Sequence, residues 1–386
     1  MNPTRRALAA LCVPLAAALG PAAQAQTQAQ PDPATDPATG SAAGPSDSDL
    51  VLVAPTDLSI NPTREYRVHS LSVRWDNDGT AAMPFGASDK HYTNGAKIDL
   101  AWTPPADWRA PDWWVGTQDS RDEDGRAQDE PAWERFAVGL TLAQHIYTGR
   151  VITNPSPPPT DRPYAGYLAF GLYAQRASAQ THDHIQLDLG VVGEWSGAER
   201  TQKWIHKTFP TQDTPQGWDD QLANEPVINL SLARTWKTPP SEADGVQFEM
   251  LPSVSADLGN AFTRAAFDLT LRVGPSLPND FGPGRIRGWR DATGTIGNGW
   301  GEGRLSWYAY TRMGVRAVAR DITLDGNTWK NSRSVGREPF VGELELGVRA
   351  RYHNFEFGYL INTSTNEFDT QDGPDSYGEF SLTLFF

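Results

Sequence analysis

Gln202 and His206 stand four residues apart within the polar stretch 193–226, GEWSGAERTQKWIHKTFPTQDTPQGWDDQLANEP, and on a helix they share one face. Histidine is the side chain best suited to taking a proton near neutral pH, and a neighbouring amide can hydrogen-bond a polar group held beside it. A lone histidine is more often structural, but this one has company. Asp76-Asn77-Asp78-Gly79 reads first as a turn, yet its oxygens are also hard ligands of the kind calcium takes. Asp89-Lys90-His91-Tyr92-Thr93-Asn94-Gly95 follows it across a hairpin, which places Thr93 and Asp78 to converge. In Asp161-Arg162-Pro163-Tyr164-Ala165-Gly166-Tyr167 the aromatics read as interfacial anchors. The chain has no Gly-x-Ser-x-Gly elbow and no His-Glu-x-x-His helix, so a serine hydrolase and a zinc hydrolase of those types are excluded.

The elements that must position these groups alternate strictly. Ile185, Leu187, Leu189 and Val191 face one way, and Gln186, Asp188 and Gly190 the other. Phe267, Leu269, Leu271 and Val273 alternate with Asp268, Thr270 and Arg272, and the chain ends with Phe380, Leu382, Leu384 and Phe386 on one face. Ile228, Leu230 and Leu232 repeat the pattern until Arg234 interrupts it, and Leu344, Leu346 and Val348 repeat it against Glu343, Glu345 and Arg349. Segments of about ten residues, apolar outward and polar inward, are the signature of a membrane barrel. A soluble β-sandwich alternates in the same way but with shorter strands, nearer ~5–6 residues. Strand length, Trp and Tyr near strand ends and the terminal Phe386 favour the membrane.

The expected fold is therefore all-β: a transmembrane antiparallel β-barrel with a short helix in an extracellular-side loop. Twelve strands are expected, over 70–78, 92–102, 133–147, 164–175, 183–193, 226–236, 246–258, 263–274, 304–318, 339–350, 354–362 and 377–386. With both termini periplasmic, the parity of the strands puts each of the polar motifs above at the outer end. Two inner connections, 103–132 and 275–303, are long for periplasmic turns. The first reads as a plug or a flap. Its Asp122-Glu123-Asp124-Gly125 fails as an EF-hand, because Ser120 would fill the first ligand position and Pro131 the twelfth.

Arg5 and Arg6, the apolar run 7–19 and Ala23-Gln24-Ala25 have the order of a secretory signal peptide over 1–25. Residues 26–58, rich in Ala, Pro, Thr and Asp, read as a disordered linker, leaving 59–386 for the barrel. The only cysteine, Cys12, falls inside the leader, and Leu11 before it argues against a lipoprotein site. The formal charge of −14 becomes more negative when the leader's arginines are lost, which excludes nucleic acid as a partner. No later segment has the ~18 consecutive apolar residues of a transmembrane helix.

Taken together, DND near the start, YTNG, DRPYAGY, the Gln-x-x-x-His helix, GWDDQLANEP and the terminal aromatic strand resemble the outer-membrane lipid A 3′-O-deacylase family over roughly residues 68 to 386. The resemblance implies a twelve-stranded barrel in the Gram-negative outer membrane that acts on lipid A, the anchor of lipopolysaccharide, in the outer leaflet; a monomer is expected. It implies calcium-dependent hydrolysis of the 3′-linked acyloxyacyl chain. By motif match, His206 is the expected general base, with Gln202, Asn77, Asp78 and Thr93 as the other site positions. Asp78, Thr93 and Asp213 are the expected metal ligands. The family pattern has an acidic residue soon after the histidine, where this chain reads KTFPTQD, so that Asp213 and Gln212 are the alternatives. Arg150 stands nearest to the family's lysine after the third strand. A histidine that activates water, helped by a divalent cation acting as Lewis acid, is the simplest ester-hydrolysis scheme these residues allow. A phospholipase-like esterase, or a non-catalytic pore or lipopolysaccharide-binding barrel, are the other readings.

Overall fold

The computed structural model describes residues 67–80, 90–104, 117–121, 127–131, 135–208, 213–284, 286 and 305–386. The expected leader and linker, Gln212 and Asp122 to Asp124 lie outside the described residues. Among the described residues, twelve strands close into one antiparallel barrel: β1 (Arg67–Asn77), β2 (His91–Thr103), β3 (Arg135–Thr148), β4 (Ala165–Ala177), β5 (Thr181–Val192), β6 (Glu225–Trp236), β7 (Val246–Gly259), β8 (Phe262–Gly274), β9 (Ser306–Asp321), β10 (Phe340–Tyr352), β11 (Phe355–Ser364) and β12 (Asp375–Phe385). Each pairs with its neighbours in sequence, and β1 with β12 closes the ring, from Ser70 opposite Phe385 to Asn77 opposite Gly378. Every expected strand is present, within three residues at each end. Two short additions, Ser241–Ala243 beside β7 and the separate ribbon Thr117–Arg121 with Ala127–Pro131, were not anticipated.

Closure satisfies the strand backbone internally, as a hydrocarbon surrounding demands. The alternation then sorts the side chains. Val73, Ile98, Leu142, Phe170, Leu189, Phe267, Val348 and Phe380 lie exposed on the outer wall. Their neighbours Arg74, Asp99, Thr141, Asp188, Asp268 and Arg349 turn inward, and most are buried. The interior is cross-linked by ion pairs: Arg74–Asp99 at 2.5 Å, Arg264–Asp257 at 2.6 Å, Arg312–Glu345 at 3.1 Å and Arg316–Glu343 at 2.6 Å. Buried charges persist only when paired in this way.

The lumen is also crossed by the chain itself. After β8, residues 278–284 and Ile286 run inside the barrel. Arg272 binds Glu249, Asp280 and the Pro278 carbonyl (3.2 Å), while Arg312 donates to the Pro283 carbonyl at 2.9 Å. Arg349 donates to the Gly284 carbonyl at 3.2 Å, and Ile286 N–H reaches Glu379 at 3.2 Å. At the foot of this segment Lys237 donates to Asn279 at 2.5 Å and lies over the Phe281 ring; burial lowers its ammonium to about 8. Among the described residues, the connection after β8 enters the lumen.

A lumen filled in this way predicts no stable single-channel current for the purified protein in planar bilayers; a steady pore conductance would contradict it. Arg272→Met leaves Glu249 and Asp280 buried and unpaired, a loss on the order of 3–5 kcal/mol for breaking a buried pair, read by urea unfolding of the detergent-folded barrel.

Candidate active site

The described residues of the outer-end polar motifs gather at one end of the barrel, where β1, β3 and β5 finish and β2, β4 and β6 begin. The chain leaves β5 at Gly193, whose φ of 97° suits glycine, and whose N–H bonds the Gly166 carbonyl at 2.9 Å. A single 3₁₀ turn, Glu194–Ser196, leads into α1 (Ala198–Thr208). Ser196 Oγ donates to the Gly193 carbonyl at 2.6 Å and accepts the Ala198 N–H at 3.3 Å, tying down the start of the helix.

Parity decides on which side of the wall α1 lies. In β4, Tyr167 and Ala169 line a lumenal cavity of about 50 Å³, whereas Phe170 and Leu172 face outward. Gly166 shares the outward face, and a Cβ there would collide with Ser196 Oγ and Ala198 Cβ. In β3, Ala143 and His145 line the same cavity, so Gln144 and Ile146 face outward. Gln144 donates to the Ser196 carbonyl at 2.7 Å, and Ile146 is fully buried against Tyr164, Ala198 and Trp218. The helix therefore rests on the outside of the barrel, on its membrane-facing wall. The helix and the β1–β2 hairpin are thus linked along the wall through Ile146 rather than set opposite each other across the barrel mouth.

On α1 the residues Ala198, Gln202, Ile205 and His206 are buried. His206 Nδ1 lies 2.5 Å from the Asp213 carbonyl oxygen. A carbonyl only accepts, so Nδ1 carries the proton and Nε2 is left as the basic nitrogen. Gln202 Oε1 accepts Trp218 Nε1–H at 2.8 Å, and its Nε2, also buried, has no hydrogen-bond partner among the described residues. Trp218 packs edge-on against Tyr164 at 5.2 Å, and the Tyr164 carbonyl takes the Leu222 N–H at 2.9 Å. Tyr164 and Tyr167 are thus internal supports rather than interfacial anchors, because α1 and the 217–222 segment cover one and the lumen encloses the other. Arg162 of the same motif is also internal. It bonds Glu367 at 2.6 Å and Thr323 at 2.8 Å, and lies over the Tyr147 ring.

The second group forms one hydrogen-bonded unit. Asn77 Nδ2 donates to the Thr93 carbonyl at 3.0 Å while its Oδ1 accepts the Gly79 N–H. Asp78 is wholly buried and takes the amides of Gly79 (2.8 Å) and Lys90 (2.9 Å) on its two oxygens. Thr93 sits at a β-bulge, between the pairs Tyr92–Tyr147 and Asn94–Ile146, and its hydroxyl donates to the Ile146 carbonyl at 3.3 Å. His91 begins the strand at φ 64°, a conformation that costs a non-glycine residue free energy. The two groups meet through Ile146, whose carbonyl takes Thr93 and whose side chain packs under Ala198 and Trp218. The bulge, the Trp218–Gln202 bond and the outer-wall position of Ile146 had no signal in the sequence.

The three residues expected to ligate calcium have other hydrogen-bond partners among the described residues. Asp78 and Thr93 share the β1–β2 hairpin, whereas Asp213 is exposed beyond α1 and offers its carbonyl to His206. Calcium takes six to eight oxygens, and among the described residues no group of three or more acidic, histidine or cysteine side chains is placed to hold a metal. No step is assigned to the ion. Arg150 is exposed and pairs with Asp372 at 2.9 Å.

Against known proteins, the chain is similar to LpxR from Salmonella typhimurium, with 21% identity, a TM-score of 0.64 and coverage of 82% of this chain and 100% of that one. The β-domain of the Bordetella autotransporter BrkA (11% identity, TM-score 0.41, 83% and 99% covered) and the translocator domain of NalP from Neisseria meningitidis (8%, 0.38, 84% and 90%) are more distant barrels. No curated protein sequence matches. The model of the outer membrane protein LpxR family matches residues 15–386, and so the chain belongs to the LpxR family of outer membrane proteins.

Proposed function

We propose that the protein hydrolyses the 3′-O-linked acyloxyacyl ester of lipid A in the outer leaflet. The observation that carries this reading is His206: its Nδ1–H is held by the Asp213 carbonyl, one helical turn from Gln202, whose Nε2 has no partner among the described residues, on a helix seated against the membrane-facing wall. A lipid in the outer leaflet reaches that wall without leaving the membrane, which a lumenal site would not allow.

In the proposed reaction His206 Nε2 takes a proton from water as the water oxygen attacks the ester carbonyl. Gln202 Nε2–H hydrogen-bonds the oxyanion of the tetrahedral intermediate. Collapse breaks the bond to the sugar oxygen, which receives the proton back from His206, and the acyl chain leaves as a carboxylic acid. Trp218 holds the Gln202 amide with its oxygen turned to the indole and its nitrogen turned away. Asn77, Asp78 and Thr93 keep the neighbouring β1–β2 turn rigid beside the helix.

His206→Ala is expected to insert and fold normally but to lose about 10²–10⁴-fold in acyl release, the usual worth of a general base, scored by mass spectrometry of lipid A. Wild-type deacylation by this variant would sink the scheme. The same spectra of phospholipids separate this activity from that of a phospholipase. Gln202→Ala should lose about 10²–10³-fold, as for removal of one oxyanion donor. Asp213→Ala should stay active, because His206 uses the backbone carbonyl; strong loss there would restore a role for the carboxylate. Gly166→Val should yield a folded barrel with little activity, since a side chain there lifts α1 off the wall.

A further inference from the structure

We propose that the outward face of α1 is a docking surface for the phosphate-bearing headgroup of an outer-leaflet glycolipid. Arg200, Lys203, Trp204 and Lys207 are spaced three, four and seven residues from the first, so they form one stripe, opposite buried Gln202 and His206. All four are exposed, Trp204 by 63%. Three cations on one helical face run against the balance of a chain whose formal charge is −14. Lys203 is partly committed to Glu199 at 2.5 Å, an exposed i,i+4 pair that a phosphate can compete for. The surface continues through Asn224, whose side chain takes the N–H of exposed Trp195 (2.7 Å) and whose carbonyl takes Lys330 Nζ (3.4 Å).

The position of α1 selects the partner. Its inner face covers Gly166 and Ile146 on the wall that faces hydrocarbon, at the ends of the strands. Its outer face therefore stands at headgroup level, where a basic, Trp-bearing helix face binds anionic lipid. Arg and Lys are the side chains that recognise phosphate, the first by paired donors and the second as a point charge. A headgroup held there sets its acyl esters beside His206, on the other face of the same helix. The identity of the lipid rests on the hydrolase reading above; the phosphate dependence of binding does not.

The test uses the full-length chain purified in detergent, with His206→Ala to prevent turnover, titrated with fluorescent lipid A carrying both phosphates or stripped of them. Combined Arg200→Gln, Lys203→Gln and Lys207→Gln substitution should weaken binding of the phosphorylated lipid about 10- to 100-fold, from the attraction of three cations at an anionic surface. It should leave the stripped lipid unchanged and flatten the salt dependence. Trp204→Ala should weaken both. Unfolded and folded forms separate by heat-modifiable gel mobility, so a misfolded variant is recognised. Equal affinity of the triple variant and its parent for phosphorylated lipid A overturns the docking surface. Phosphate-dependent binding by a chain with His206 intact that never releases acyl groups overturns the hydrolase reading alone.

Discussion

A strand in hydrocarbon has no water to satisfy its amides, and that constraint organises the whole molecule. It closes β1 on β12 and leaves no open edge among the twelve strands. Closure gives every residue of a strand a fixed side, so parity alone separates Arg74 and Asp99 inside from Val73 and Ile98 outside. The interior then has to neutralise its own charge, which it does with arginine–carboxylate pairs and with the chain segment that follows β8. That segment occupies part of the lumen.

The candidate site is assembled on that wall by a few close contacts. Gly166 has no side chain, so Ser196 and Ala198 approach the backbone of β4 and the helix lies flat. Ile146 becomes buried although it points outward, and Trp218 and Tyr164 close over it. The buried polar groups are paired almost one by one: Trp218 to Gln202, His206 to the Asp213 carbonyl, Asn77 to the Thr93 carbonyl, Asp78 to two amides. Gln202 Nε2 is the exception in this set, a buried donor without a partner among the described residues. Such a group costs stability unless a ligand takes it.

Much of the barrel was legible because period-two alternation is a direct consequence of having lipid on one side and a polar lumen on the other. The strand ends were read to within three residues for the same reason: polar turn residues stop the pattern. The pairing of Gln202 with His206 was legible from helical spacing, and α1 is indeed a helix over both. That Asp213 meets His206 through its carbonyl was not legible, because motif order carries no information on whether a residue offers its side chain or its backbone. Tyr164 was misread as an anchor for a related reason. An aromatic near a strand end is interfacial only if nothing covers it, and the covering Trp218 lies more than fifty residues further along the chain.

What the chain determined by itself is the kind of object: alternating strands in even number and a helix with an amide and an imidazole on one face. Those follow from local patterns, and local patterns are set by solvent on each side of the backbone. Only the tertiary structure decided that the helix sits outside the wall rather than over the mouth, that Thr93 stands at a bulge, and that the lumen is filled by the connection after β8. Each of these depends on contacts between residues distant in sequence, Gly166 with Ser196, Thr93 with Ile146, Arg349 with Gly284. No periodicity encodes them, because steric fit and hydrogen-bond geometry exist only once the barrel has closed.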